Sequence, residues 1–132
     1  MAAGPFAILR FSLALQLLRG ERIGRFLDLG CGNGDFSVEL ARRGERGVAL
    51  DLSPAATETA AMRLARAGAE GVAVVCGDLR AVEGPFDTVC AFEVIEHVAD
   101  DVAFLREVRN ALVPGGRLVI STPAHPNLWD AT

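Results

Sequence analysis

In the stretch FLDLGCGNGDF, residues 26–36, an apolar run carries an acid at Asp28 and is followed by glycines at Gly30, Gly32 and Gly34. Glycine has no Cβ, tolerates positive φ and lets a ligand approach the backbone, so a turn of this kind is suited to holding a cofactor. Acids recur after it: Asp51 in ALDLSP, Asp78 in CGDL, and Glu93 and Glu96 beside His97 in FEVIEH. A carboxylate there can accept the hydroxyls of a ribose or face a cationic group. The chemistry within reach is recognition of a ribose-bearing cofactor.

These residues need elements that bring them together. Phe26, Leu27 and Leu29 read as the end of a buried parallel strand, and Phe36, Val38 and Leu40 as the apolar positions of a following helix. The glycines then lie at a strand-to-helix turn, where open α/β sheets bind ligands beyond the carboxyl ends of their strands. Short apolar runs alternate with amphipathic segments along the chain, the pattern of βαβ units. Strands are expected at residues 25–29, 47–52, 72–76, 86–92 and 117–121. Helices are expected at 35–43, closed by Gly44; at 54–67, with Ser53 as N-cap, Pro54 in the first helical position and Gly68 beyond; and at 101–112, capped by Asp100 and stopped before Pro114, Gly115 and Gly116. This succession requires right-handed crossovers and a parallel sheet covered on both faces, a doubly wound α/β fold. Asp51, Asp78 and Glu93 each follow a strand, so each offers an acid to one crevice.

Composition bounds the function. With 132 residues, 51% hydrophobic and 23% charged, the chain reads as one globular domain able to bury about two-thirds of its unfolded surface. A net charge of -4 gives no electrostatic footprint for nucleic acid, and no nucleic-acid partner is expected. All 13 basic residues are arginine and tyrosine is absent, which excludes a catalytic lysine or tyrosine within this chain. Cys31, Cys76 and Cys90 lack zinc-like spacing and read as reduced core thiols of a cytoplasmic protein. Residues 6–18 are apolar but interrupted by Arg10, Ser12 and Gln16; they are too short to span a bilayer and lack a basic leader. The expected organisation is an N-terminal helix in 1–22, a core in 23–123 and a polar tail in 124–132.

The acids decide more than the glycines do. A nicotinamide dinucleotide fingerprint would place a third glycine three residues after Gly32, and Asp35 stands there instead. An aspartate at that helix start would point negative charge at a pyrophosphate. A cofactor without phosphates and with a cationic end fits better, its amine and sulfonium among Asp28, Glu93 and the carbonyls of the turn. Asp51 suits the ribose, against the plainer role of a first-turn acid ahead of Pro54. Leu52 and Leu79 suit the two faces of an adenine, against plain core packing, and Asp78 stands between the cleft and the role of a loop acid.

Taken together, the motifs resemble those of the class I S-adenosylmethionine-dependent methyltransferases, most closely the small-molecule and ubiquinone-type O-methyltransferase branch. LDLGCGNG resembles the family's first motif, Asp51 in ALDLSP its ribose acid and Asp78 in CGDL its adenine-edge acid. FDTVCAFEVIEHVAD and LVPGGRLVISTP resemble the two stretches that follow. The resemblance implies a Rossmann-like sheet of strand order 3-2-1-4-5 and binding of S-adenosylmethionine by Asp28, Gly30, Cys31, Gly32, Gly34, Asp51, Leu52, Asp78, Leu79, Phe92 and Glu93. It implies methyl transfer to a small-molecule acceptor, at oxygen, leaving S-adenosylhomocysteine. If the acceptor is a hydroxyl, His97 and Glu96 are the candidate bases, although a histidine held by the backbone at a helix end is the plainer reading. Glu93, Glu96 and His97 also resemble the metal-binding ExxEH of small-RNA 2′-O-methyltransferases and of some ubiquinone-type enzymes, an arrangement that could hold a hard divalent ion. The RNA enzymes add a histidine from a later region, where this sequence has only His125, and no metal is expected. Two other readings stay open: a cofactor-binding fragment without activity, and an NAD-dependent oxidoreductase.

The family's sheet ends in an antiparallel hairpin beyond the fifth strand, which this sequence does not contain. An uncovered fifth strand would present unpaired backbone groups at a sheet edge. The chain is therefore expected either to be a fragment of a longer protein or to cover that edge by pairing with a second copy. Phe6, Phe11, His125 and Trp129 are candidates for an acceptor pocket, with core or surface roles as the plainer alternative.

Overall fold

The computed structural model describes residues 5–121, with side chains from Phe11 onward. The tail at 124–132, with His125 and Trp129, and the side chain of Phe6 lie outside the described residues. Helix α1 (Pro5–Leu17) leads into β1 (Arg25–Leu29), α2 (Asp35–Arg42), β2 (Arg46–Asp51), α3 (Pro54–Arg66), β3 (Val72–Cys76), β4 (Phe86–Phe92), α4 (Asp101–Ala111) and β5 (Leu112–Ser121). The strands form one parallel sheet in the order β3-β2-β1-β4-β5, as the motifs implied. No helix among the described residues is long and apolar enough to cross a membrane.

Strand alternation sorts the core into two layers. On β1, Phe26 joins Phe36, Leu40, Ala60 and Leu64 beneath the α2 and α3 face, while Leu27 and Leu29 join Leu50, Val89 and Val108 beneath α4. Successive side chains on a strand point to opposite faces, so Asp28 shares the face of Phe26 and is aimed at α2. Both layers are closed by residues with almost no exposure, among them Phe26, Phe36, Leu40, Phe86 and Val89.

Helix ends follow local chemistry. Ser53 Oγ accepts from the Ala56 N–H at 3.2 Å and the Asp100 carboxylate from the Ala103 N–H at 3.0 Å, so both expected N-caps form. Residues 77–85 cross from β3 to β4 with only one 3₁₀ turn, Leu79–Ala81. The α4 face is thereby thinly covered above β2 and β3, and a cleft opens there.

Two expectations need correction. The fifth strand begins at Leu112 rather than at 117, directly where α4 ends. Leu112 pairs with Phe86, and the register then jumps so that Arg117 pairs with Thr88. Pro114, Gly115 and Gly116 form the irregular stretch between the two pairings; proline is tolerated there because β5 is an edge strand at that point bulged away from its neighbour. Cys76, read as a core thiol, is exposed, whereas Cys31 and Cys90 are buried. Cys76 closes an edge strand, and no layer of the described residues covers it.

Candidate active site

The glycine turn is held by its own amides. Gly30, Gly32 and Gly34 take φ of 75, 54 and 83°. The N–H groups of Gly30 and Cys31 both donate to the Leu50 carbonyl, at 2.8 and 2.9 Å, and the Gly34 N–H to the Cys31 carbonyl at 2.9 Å. Gly32 N–H donates to Asp51 Oδ2 at 2.8 Å, while Asp51 Oδ1 accepts from the Ser53 N–H at 2.9 Å. A phosphate cradle needs backbone N–H groups turned toward the ligand. Here four of them are committed inside the turn or to β2. Asp51 stays available despite its two bonds, since a carboxylate offers about four acceptor positions.

Two clefts flank the turn, and Gly30 and Phe92 wall both. The larger, about 560 Å³, lies beyond the carboxyl ends of β1, β2, β3 and β4 and brings together Asp51, Leu52, Asp78, Leu79, Glu93 and His97. The smaller, about 180 Å³, is lined by Asp28, Cys31, Gly32, Asn33, Asp35 and the rings of Phe11, Phe36 and Phe92. Those three rings pack on one another with centroids 4.8 to 5.6 Å apart, which sets the apolar floor of this cleft. Of the residues named from sequence, Gly34 and Glu96 line neither cleft. Gly34 is buried against α3, and Glu96 lies 3.6 Å from His97 Nε2 on a 3₁₀ turn, Ile95–His97. The His97 side chain is 77% exposed at the mouth of the larger cleft.

Electrostatics separates the acids. Asp28 is 2% exposed and accepts from Ser37 Oγ at 2.7 Å. Burial pushes its carboxyl up to about 6, against the opposing Ser37 hydrogen bonds, with the charges of Asp51 and Asp35 adding to the rise. Burial, then the Asp28 and Asp51 charges, pushes the Cys31 thiol up to about 12, which leaves it protonated and unreactive. Asp78 is exposed and capped by Arg80, whose guanidinium and backbone N–H both bond to it at 3.0 Å and lower its pKa. Leu52 is 74% exposed on the cleft wall, an apolar surface open to a ligand rather than to the core.

Glu93 is the one non-glycine residue with positive φ among the described residues, at 57°. Its N–H donates to the Ser121 carbonyl at 2.8 Å, which ties the end of β4 to β5 and holds the strained conformation. Glu93, Glu96 and His97 are not brought together as a ligand set: among the described residues no group of three acidic, histidine or cysteine side chains is arranged to hold a metal. Sequence reading missed Ser37 and Arg63. Arg63 Nη1 pairs with the Asp35 carboxylate and donates to the Asn33 carbonyl at 3.2 Å. Its signal was available in part, because Arg63 follows buried Ala60 by one helical turn and so borders the packed stripe of α3.

Comparison with known proteins agrees with this geometry. The family model described as a methyltransferase domain matches residues 27–120. A ubiquinone biosynthesis O-methyltransferase of Caulobacter sp. (strain K31) is 42% identical over 101 residues, covering 74% of this chain and 40% of that protein. The ubiquinone biosynthesis O-methyltransferase of Xanthomonas euvesicatoria pv. vesicatoria (strain 85-10) is 40% identical over 124 residues, covering 92% of this chain and 50% of the relative. The chain thus spans about half the length of the curated relatives it matches. A SAM-dependent methyltransferase from Thiobacillus denitrificans, crystallised in complex with S-adenosyl-L-homocysteine, shares the fold with a TM-score of 0.75 at 24% identity, over 98% of this chain and 56% of its own. The family match runs from β1 through β5 and takes in every strand end that walls the larger cleft, and this chain belongs to the methyltransferase domain family.

Proposed function

We propose that the chain binds S-adenosylmethionine across the glycine turn and serves methyl transfer to a small-molecule acceptor, at oxygen. The observation that carries this reading is the inward commitment of the turn's amides, with acids on both sides of it. Such a turn offers little to a pyrophosphate and suits a cofactor with a ribose at one end and a cationic amino acid at the other. Asp51 takes the ribose hydroxyls, Leu52 and Leu79 the adenine faces, and Asp78 the adenine edge. Gly30 and Phe92, which wall both clefts, and Cys31 and Gly32 in the smaller one carry the cofactor between its two ends; Asp28 and Glu93 face the amine and the sulfonium. The O-methyltransferase names of the relatives support oxygen as the acceptor atom.

The cofactor supplies an electrophilic methyl on its sulfonium. The protein's share is then to align the acceptor with that carbon, and proximity and orientation carry much of the rate. In this reading His97 takes the hydroxyl proton, with Glu96 beside it; its position on the lining of the larger cleft supports the role. His97→Ala is expected to lower turnover by about one to two orders of magnitude, at or below the low end for general bases because the methyl is already activated. Affinity for S-adenosylhomocysteine should stay unchanged, and steady-state kinetics with a hydroxyl-bearing acceptor, with S-adenosylhomocysteine as product inhibitor, checks both; full activity without the imidazole removes His97 from the reaction.

The cofactor itself is tested by thermal unfolding. S-adenosylhomocysteine at a hundred times its dissociation constant is expected to stabilise the fold by about 2.7 kcal/mol, while NAD at the same concentration leaves the midpoint unchanged. Stabilisation by NAD alone would favour an oxidoreductase.

A further inference from the structure

The glycine turn is gripped from outside as well as from β2. Helix α3 lies so close that a Cβ on Gly34 would stand 2.9 Å from Ala60 Cβ. One turn further along α3, the Arg63 guanidinium reaches over the turn, donating to the Asn33 carbonyl at 3.2 Å and pairing with the Asp35 carboxylate. The Arg63 and Asp35 side chains are 26% and 23% exposed, so the pair is screened less than a surface pair and holds a defined geometry. Asn33 and Asp35 line the smaller cleft and not the larger one.

We propose that Arg63 is a positioning residue that sets the turn for the amino-acid half of the cofactor. This rests on the S-adenosylmethionine reading above. By binding a backbone carbonyl and a carboxylate at once, Arg63 fixes the path of residues 33–35 and balances the Asp35 charge beside Asp28. Without it, an unpaired carboxylate would face the space into which the cofactor's own carboxylate must fit. The adenosine half depends on Asp51 and Asp78 in the larger cleft, which Arg63 does not touch.

The test is calorimetric titration of the wild-type chain, Arg63→Met and Arg63→Lys with two ligands: S-adenosylhomocysteine, and 5′-methylthioadenosine, which lacks the amino-acid group. Arg63→Met is expected to weaken S-adenosylhomocysteine about tenfold or more, on the scale of a lost charge-assisted hydrogen bond, and to change methylthioadenosine by less than about twofold. Arg63→Lys retains a charge opposite Asp35 and should recover part of the loss; Arg66→Met, from the same end of α3, should change neither affinity. Unchanged S-adenosylhomocysteine affinity in Arg63→Met, or an equal loss for both ligands, would overturn the proposal while leaving the cofactor reading in place. Failure of the wild-type chain to bind either ligand would instead remove that reading.

Discussion

Asp28→Asn is expected to stabilise the fold at neutral pH and to weaken cofactor binding at the same time. The Asp28 carboxyl is buried, and its pKa rises from 3.8 to about 6 in the folded chain. A folded state that holds its proton more tightly than the unfolded chain is favoured at low pH, and that advantage is lost as pH rises through the folded pKa. The Asp28 contribution is thus fully present below about pH 4 and gone above about pH 6, a difference of about 3 kcal/mol. Asparagine is neutral throughout and can still accept from Ser37 Oγ. The variant should therefore exceed the wild type by up to about 3 kcal/mol at pH 8 and match it near pH 4, as read by denaturant unfolding at the two pH values. Binding runs the other way. With the cofactor amine on the Asp28 carboxylate as proposed, wild-type affinity should rise between about pH 5 and pH 7, and Asp28→Asn should show neither the rise nor the affinity. A variant no more stable at pH 8 than the wild type would mean that Asp28 is ionised at little cost. Unchanged cofactor affinity in Asp28→Asn would detach the acid from the site.

The same residue shows how far the sequence could be read. Asp28 was recognisable as an acid in an apolar strand ahead of a glycine turn, and strand alternation assigns its face. Its titration near neutrality was not readable, because it depends on how completely α2 covers it and on Ser37, whose hydroxyl meets it only after folding. Local signals fared well: Ser53 and Asp100 cap the helices they precede because capping is settled within a few residues. Signals that needed distant partners did not. Pro114 to Gly116 looked like a helix stop followed by a loop, whereas pairing of Leu112 with Phe86 draws the segment into the sheet. Cys76 looked like a core thiol because strand residues usually gain a cover, and the edge position of β3 denies it one. Arg63 could be placed beside a buried stripe but not above the glycine turn, some thirty residues earlier in the chain.

Asp51→Ala carries the second large effect. Asp51 receives the Gly32 N–H on one oxygen and the Ser53 N–H on the other, so it joins the glycine turn to the start of α3 while facing the larger cleft. Removing it deletes the proposed ribose contact, worth about 1.5 to 3 kcal/mol for a hydrogen bond to a charged group. It also frees the Gly32 amide, so the turn loses its preorganisation before any ligand arrives. The two losses act on the same residues and are not independent, and the expected total is about 3 kcal/mol, or more than a hundredfold in affinity. Ser53 Oγ still caps α3 on its own account, so the fold should survive the change.

Calorimetric titration of the wild-type chain and of Asp51→Ala with S-adenosylhomocysteine tests the central claim most directly. Saturable one-to-one binding by the wild type, reduced by more than about a hundredfold in a variant with an intact sheet by circular dichroism, is the predicted result. Equal affinity in the two proteins, or no binding by a folded wild-type chain, would contradict the placement of this cofactor on the glycine turn.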